Sequence, residues 1–179
     1  MGGFWQSIKR VFRGPAKSTH QGDQSAMAMQ LRQSLLAADP ASLGLTPENT
    51  GGLWALLMEM GFADGFATLV TVADGTISMY FIPGGGMIGI GEHVGPRQTG
   101  QQLLAAARQL RQLASPAPTC QPPSNGMIHF HFLTFDGVFT AAAKEKDLAD
   151  PQAPLSVLFR LGHEIITQAR LIDQQRKRK

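Results

Sequence analysis

Residues 66–82 read FATLVTVADGTISMYFI and hold the strongest folding signal in the chain. Apolar and β-branched residues flank Asp74-Gly75, a pair typical of a two-residue type I′ turn in which both turn residues have positive φ. The sequence therefore predicts a β-hairpin that gathers its large apolar side chains on one face. The expected pairs are Ala73 with Thr76, Val72 with Ile77, Val70 with Met79 and Thr68 with Phe81, and Thr71 shares the other face with Ser78.

A second hairpin is predicted around Asp136-Gly137 by the same turn chemistry. Both of its faces are apolar, which is typical of strands that are covered on both sides, by the protein itself or by a partner. The expected pairs are Phe135 with Val138, Thr134 with Phe139 and Phe132 with Ala141.

Two amphipathic helices are predicted, one after each hairpin, over residues 97–114 and 154–172. Between them, residues 115–125 contain four prolines and indicate an exposed loop. Residues 86–92 add a short strand.

The region before the first hairpin is expected to be helical. Met27, Leu31 and Leu35 form an apolar stripe on a helix over 24–38. Thr46 and Pro47 form a helix-start signal. We expect that second helix to include Leu53–Met60 and to end at a Gly61 cap.

These elements predict an α+β fold in which helices pack on an antiparallel sheet of four to five strands, in the order ααβββαββα. In element order, residues 50–172 resemble the roadblock, longin and profilin-like group. That resemblance implies an interaction scaffold rather than an enzyme, and no sequence motif accompanies it. The expected organisation is a basic amphipathic helix over 1–13, a linker over 14–23, one domain over 24–172 and a basic tail over 173–179.

Charge is distributed unevenly along the chain. Residues 1–17 and 176–179 hold 8 of the 16 basic residues, which leaves residues 18–175 with 8 basic against 13 acidic residues and a net charge of −5. Terminal basic clusters on an acidic body do not favour nucleic-acid binding, which needs a basic folded face. The single cysteine, Cys120, excludes an internal disulfide and favours a cytoplasmic protein.

The N-terminal segment has a helical apolar stripe beside basic residues. This pattern predicts a helix that docks on the body, on a partner protein or peripherally on an anionic membrane. The candidate contact residues are Phe4, Trp5, Ile8, Lys9, Arg10, Val11, Phe12 and Arg13.

The glycine-rich stretch after the first hairpin formally matches G-x-G-x-x-G. A dinucleotide site needs a parallel strand before the glycines and a helix directly after them, and neither is predicted here. The alternatives are close backbone approach or an exposed loop that binds an anion or a partner. The residues concerned are Gly84, Gly85, Gly86, Gly89 and Gly91.

His129 and His131 stand two apart on an expected strand and therefore share a face, as a metal pair would require. Glu92, His93 and the pair His163-Glu164 are possible further ligands. The alternative is a half-buried sheet surface. Cys120 lies among prolines without a neighbouring base in sequence, which predicts an unreactive thiol.

The leading functional hypothesis is a non-enzymatic interaction module without a cofactor, tethered by residues 4–13 to a membrane surface or to another protein, including a second copy. The alternatives are a small metal-dependent enzyme that uses the His129 and His131 face, and an inhibitor or immunity-type protein.

Overall fold

The apolar run Leu53–Phe62 forms the central strand, β1, of an antiparallel sheet. The prediction of a helix over Leu53–Met60 is therefore wrong. This run is apolar without interruption except at Glu59, so its periodicity fits both a helix and a strand that is buried on both faces. Gly61 is also not a helix cap, since it lies in the strand, where a Cβ would collide with the backbone carbonyl of Ser124.

The computed structural model describes residues 21–82 and 84–178, and side chains from residue 25 onward. Within these residues the sheet has seven strands in the order β4-β3-β2-β1-β6-β7-β5. The strands are β1 Leu53–Phe62, β2 Gly65–Val72, β3 Ile77–Ile82, β4 Gly86–Met87, β5 Ser115–Pro116, β6 Met127–Thr134 and β7 Gly137–Lys144. The α-helices are α1 Gln21–Leu36, α2 Pro47–Thr50, α3 Val94–Leu110 and α4 Ser156–Arg176.

The predicted α+β class and the helices after each hairpin are confirmed. The predicted count of four to five strands is wrong, because β1 was assigned to a helix and the two-residue strands β4 and β5 pair at the sheet edges. The strand predicted within residues 86–92 is confirmed for Gly86–Met87, and a 3-10 turn follows at Ile90–Glu92. Thr46 caps α2 as expected and forms a capping box with Asn49, but the helix ends after one turn.

Both hairpins exist, but the predicted type I′ turns are wrong. Among the described residues only glycines have positive φ, including Gly75 and Gly137, so neither aspartate adopts it. Gly75 N donates to Val72 O (3.0 Å), which places Ala73 and Asp74 at the turn centre and Gly75 after it. This is the type I arrangement, in which glycine follows the two central residues.

The turn geometry moves the strand registers. In the first hairpin Met79 pairs with Leu69, and Val70 pairs with Ser78, a shift of one residue that changes which side chains share a face. Thr71 likewise pairs with Ile77, so it does not share a face with Ser78 as predicted. In the second hairpin the shift is two residues, which preserves the faces. Its observed pairs are Thr134 with Gly137, Leu133 with Val138 and Phe132 with Phe139.

Alternation along β1 separates two faces of the sheet. Leu56, Met58 and Met60 point to the front face, which α3 and α4 cover. The buried front-face residues of the helices are Leu103, Leu104, Ala107, Leu158, Ile165, Ile166 and Ala169. Leu57 and Glu59 point to the back face, which is covered by α1 and the loop over residues 117–125.

Helix α1 presents a different side to the sheet from the one predicted. Ala28 and Arg32 are buried, whereas Met27 and Leu31 are 63% and 42% exposed. Leu35 is half-buried against the back-face core. The predicted apolar stripe is therefore mostly exposed, and a charged residue takes the central buried position.

The two ends of the sheet differ. Both Asp-Gly turns lie at the end where β1 begins, because Leu53 pairs with Thr134 and Ala55 with Val72. The opposite end carries the β1–β2 turn, the start of β6 and the end of β7. There Gly126 N donates to Gly61 O (3.1 Å). This second end also carries the start of α4.

Candidate functional site

The back face contains a buried polar network centred on Glu59. Arg32 donates from Nε to Glu59 Oε1 (2.6 Å) and from Nη2 to Oε2 (2.8 Å). His131 Nε2 lies 3.1 Å from Oε2, and Thr68 Oγ1 donates to Oε1 (2.9 Å). The carboxylate thus takes part in four hydrogen bonds with three residues, which matches its capacity to accept hydrogen bonds. We call these residues, together with Thr140, the polar network.

His131 links the network to β7, because its Nδ1 lies 2.7 Å from Thr140 Oγ1. Arg32 Nη2 also donates to the carbonyl oxygen of Cys120 (2.8 Å), which ties the loop to α1. Glu59 and His131 are fully buried, and Arg32 is almost so. The network therefore holds α1, the loop and four strands together, beside the apolar cluster of the same face.

The protonation states follow from burial and pairing. Burial alone raises the pKa of Glu59, but hydrogen bonds and charges from His131 and Arg32 outweigh it and lower the pKa to about 2. Burial alone lowers the pKa of His131, but Cys120 and Glu59 outweigh it and raise that pKa. The network therefore keeps Glu59 ionised and favours a protonated His131.

Cys120 is partly buried and close enough to His131 to raise the pKa of the imidazole. His131 comes from a strand that sequence spacing did not bring to the loop, and its imidazole is already bound to Glu59 and Thr140. The unreactive thiol therefore stays a prediction.

His129 and His131 share a face as predicted, with ring centroids 5.9 Å apart. His129 Nδ1 lies 3.2 Å from the carbonyl oxygen of Gln121, and burial lowers its pKa. His93 lies instead at the start of α3, 3.1 Å from Arg176 Nη2. Within residues 21–82 and 84–178, no group of three or more His, Cys, Asp or Glu side chains is placed to hold a metal.

The glycine stretch is placed by close backbone approach. A Cβ on Gly91 would collide with the carbonyl of Gly75, and one on Gly86 with the carbonyl of Met79. The strand before it, β3, is antiparallel to its neighbours, so the parallel-strand context of a dinucleotide site is missing there. Gly84, Gly85 and Gly89 have positive φ and shape the connection to α3.

An open groove lies beside α4, with a cavity volume of about 1060 Å³. Its floor is mainly apolar, and Glu145, Arg160, His163 and Glu164 contribute the titratable side chains. We call it the α4 groove. It is lined by Glu145, Leu148, Ala149, Pro151, Ser156, Val157, Phe159, Arg160, His163, Glu164 and Thr167.

His163 lies in the wall of the α4 groove, with its ring centroid 4.2 Å from that of Phe159 in an edge-on contact. Burial lowers the pKa of His163 to about 4. The imidazole is therefore neutral near pH 7, and the groove combines apolar surface with two carboxylates and one guanidinium.

No family model, curated protein or solved structure matches the chain. The resemblance to the roadblock, longin and profilin-like group therefore stays a prediction. No helix in the described part of the chain is long and apolar enough to span a membrane.

Sequence reasoning missed both Glu59 and the α4 groove. A signal for Glu59 was present, since one carboxylate inside a ten-residue apolar run requires a buried partner. The groove had no such signal, because its lining combines the segment after β7 with the outer side of α4.

Proposed function

We propose that the protein is a non-enzymatic interaction module that binds an apolar segment of a partner protein in the α4 groove. The groove itself carries this proposal, because a large, mainly apolar concavity with a few polar groups at its wall suits a peptide or helix with bulky side chains.

The polar network supports an interaction role over catalysis. Its carboxylate is saturated by hydrogen bonds, and its histidine is enclosed between Glu59 and Thr140. Such an arrangement fixes a fold and leaves no substrate-facing group at Glu59. We therefore place the interaction surface on the front face of the sheet, at the α4 groove.

Partner binding is tested by placing a photo-crosslinking amino acid at the exposed position of Arg160 and identifying the protein that is crosslinked in cells. That protein is then purified, and its affinity is measured by calorimetry. Val157→Asp puts a charge on the apolar floor and is expected to weaken binding at least tenfold.

The matched control is Val94→Asp, because Val94 is 72% exposed and lies outside the groove. We expect it to change the affinity less than twofold. Equal effects of the two substitutions, with both variants folded by circular dichroism, would refute binding in the groove.

Residues 4–13 lie outside the described residues, and for them we propose the tethering role. Their pattern of Phe, Trp and Ile beside Lys and Arg suits an anionic membrane surface, where four cations in residues 1–17 contribute on the order of 4 kcal/mol. Sedimentation of the full chain with phosphatidylserine vesicles tests it. A charge-neutral vesicle is the control, and equal binding to both contradicts an electrostatic tether.

A further inference from the structure

We propose that residues 4–13 of the same chain occupy the α4 groove when no partner is bound and so compete with the partner. This inference rests on the proposed function of the groove. It names the competing segment, whose apolar stripe and basic residues match the lining.

The first support is where the described chain begins. Arg32 of α1 contacts Glu59, three residues before β1 ends at Phe62. Leu35 and Leu36 pack on the cluster that contains Trp54, at the start of β1, so α1 runs from the end of β1 toward its start. The eleven residue steps from Arg32 back to Gln21 span ~16 Å along the helix, toward the end of the sheet where β1 ends. The α4 groove lies at the same end, since Glu145 directly follows β7 and Lys144 pairs with Met127.

The second support is the length of the linker between residues 4–13 and α1. Seven residues, 14–20, separate the stripe from α1 and span at most ~25 Å when extended. Helices α1 and α4 lie on opposite faces of the sheet, so the segment has to pass around the shared end only.

The third support is chemical match. Leu148, Val157 and Phe159 offer apolar contacts to the side chains of the stripe, which are Phe4, Trp5, Ile8, Val11 and Phe12. Glu145 and Glu164 are opposite in charge to the basic residues of the same segment, and with Arg160 as the one cation of the lining the groove keeps a net negative charge. Such complementarity selects a basic amphipathic helix over an acidic one.

Mass action favours the tethered segment. A short linker that can span two sites gives an effective concentration on the order of 1 mM. A segment that binds in trans with a dissociation constant of about 100 µM would then fill roughly nine-tenths of the grooves in cis. Its removal would strengthen partner binding about tenfold.

The test uses the full chain with a photo-crosslinking amino acid in place of Arg160. At micromolar protein without a partner, we expect an adduct between position 160 and residues 4–13 of the same chain, mapped by mass spectrometry. Its yield should not change on tenfold dilution. A crosslinker in place of Gln102, which is exposed on α3, is the positional control and should give no such adduct.

Matched substitutions in the segment sharpen the result. Ile8→Asp places a charge on the apolar stripe, whereas Gln6→Asp places the same charge on the opposite side of the helical pattern. We expect Ile8→Asp to lower the adduct yield at least fivefold and Gln6→Asp to lower it less than twofold.

Three outcomes overturn the inference. These are no adduct with residues 4–13, an adduct that joins two copies and vanishes on dilution, and equal loss with both substitutions. If the partner still binds and Val157→Asp still weakens it, the proposed function stands while the inference fails. If the adduct forms but no partner is found, the docking of residues 4–13 stands, while the proposed function and the competition with a partner fail.

Discussion

The two faces of the sheet are covered by different kinds of contact. On the front face α3 and α4 bury Leu, Ile, Ala and Met side chains against β1–β3 and β6. On the back face α1 buries Arg32 at its centre and leaves Met27 and Leu31 exposed. Apolar packing tolerates volume-conserving exchange, whereas a buried ion pair fails when one partner is lost. Around Arg32 the back face therefore depends on a few specific atoms, whereas the end of α1 packs Leu35 and Leu36 on an apolar cluster.

The largest effect is expected from Glu59→Ala, which leaves Arg32 and His131 buried without their carboxylate. We expect a loss of about 3–5 kcal/mol in the free energy of unfolding, measured by urea denaturation. Glu164→Ala removes an exposed carboxylate and should cost no more than about 0.5 kcal/mol. Replacing Arg32, Glu59 and His131 together by leucine should recover much of the loss, and no recovery would contradict an ion-pair origin.

A smaller effect is expected from the pH dependence that His163 gives to the front face. Its pKa of about 4 in the folded chain lies below the ordinary value near 6.5, so the unfolded chain binds more protons between these values. This stability contribution is complete above pH 6.5 and falls as the pH drops toward 4, by up to about 3 kcal/mol.

The measurement compares urea denaturation of the wild type and His163→Gln at pH 7.5 and pH 5. We expect the wild type to lose more stability than the variant over this interval. Thr167→Ser, one turn further along α4, serves as the control and should keep the wild-type dependence. If His163→Gln also keeps the wild-type pH dependence of stability, burial does not lower the pKa of this imidazole.

The smallest effect is expected from Leu31→Ser on α1. Because Leu31 is 42% exposed, its loss should cost less than about 1 kcal/mol by thermal denaturation, whereas Arg32→Met at the next position should cost several times more. The reverse order would show that α1 is held by its apolar stripe.

Much of the fold could be predicted from the sequence, because residues close together in the chain determine it. The hairpins, the helices after them and the Thr46 cap rest on residues that act within one turn or strand pair. Strand β1 could not be predicted in this way. An apolar run of ten residues has no hydrophobic periodicity that distinguishes a helix from a strand. Its pairing with β6 spans about 70 residues, and no local signal reports that contact.

The candidate sites were harder to predict from the sequence, because their residues are far apart in the chain. His129 and His131 were placed on one face correctly, since alternation along a strand is local. Their partners were not, because Glu59 and Arg32 come from a misassigned segment and from the unexpected side of α1. The α4 groove depends on how two distant segments meet, which only the three-dimensional structure provides.

The bond between Arg32 and the carbonyl of Cys120 also gives the back face a built-in reporter. Cys120 is the sole thiol of the chain, so one reagent modifies one place. When α1 lifts away, the loop loses its anchor and the sulfur gains solvent. Because Cys120 is only partly buried, the increase in its labelling rate from the wild type to a variant that lacks the Arg32 bond then reports the opening of this unit, separately from global unfolding.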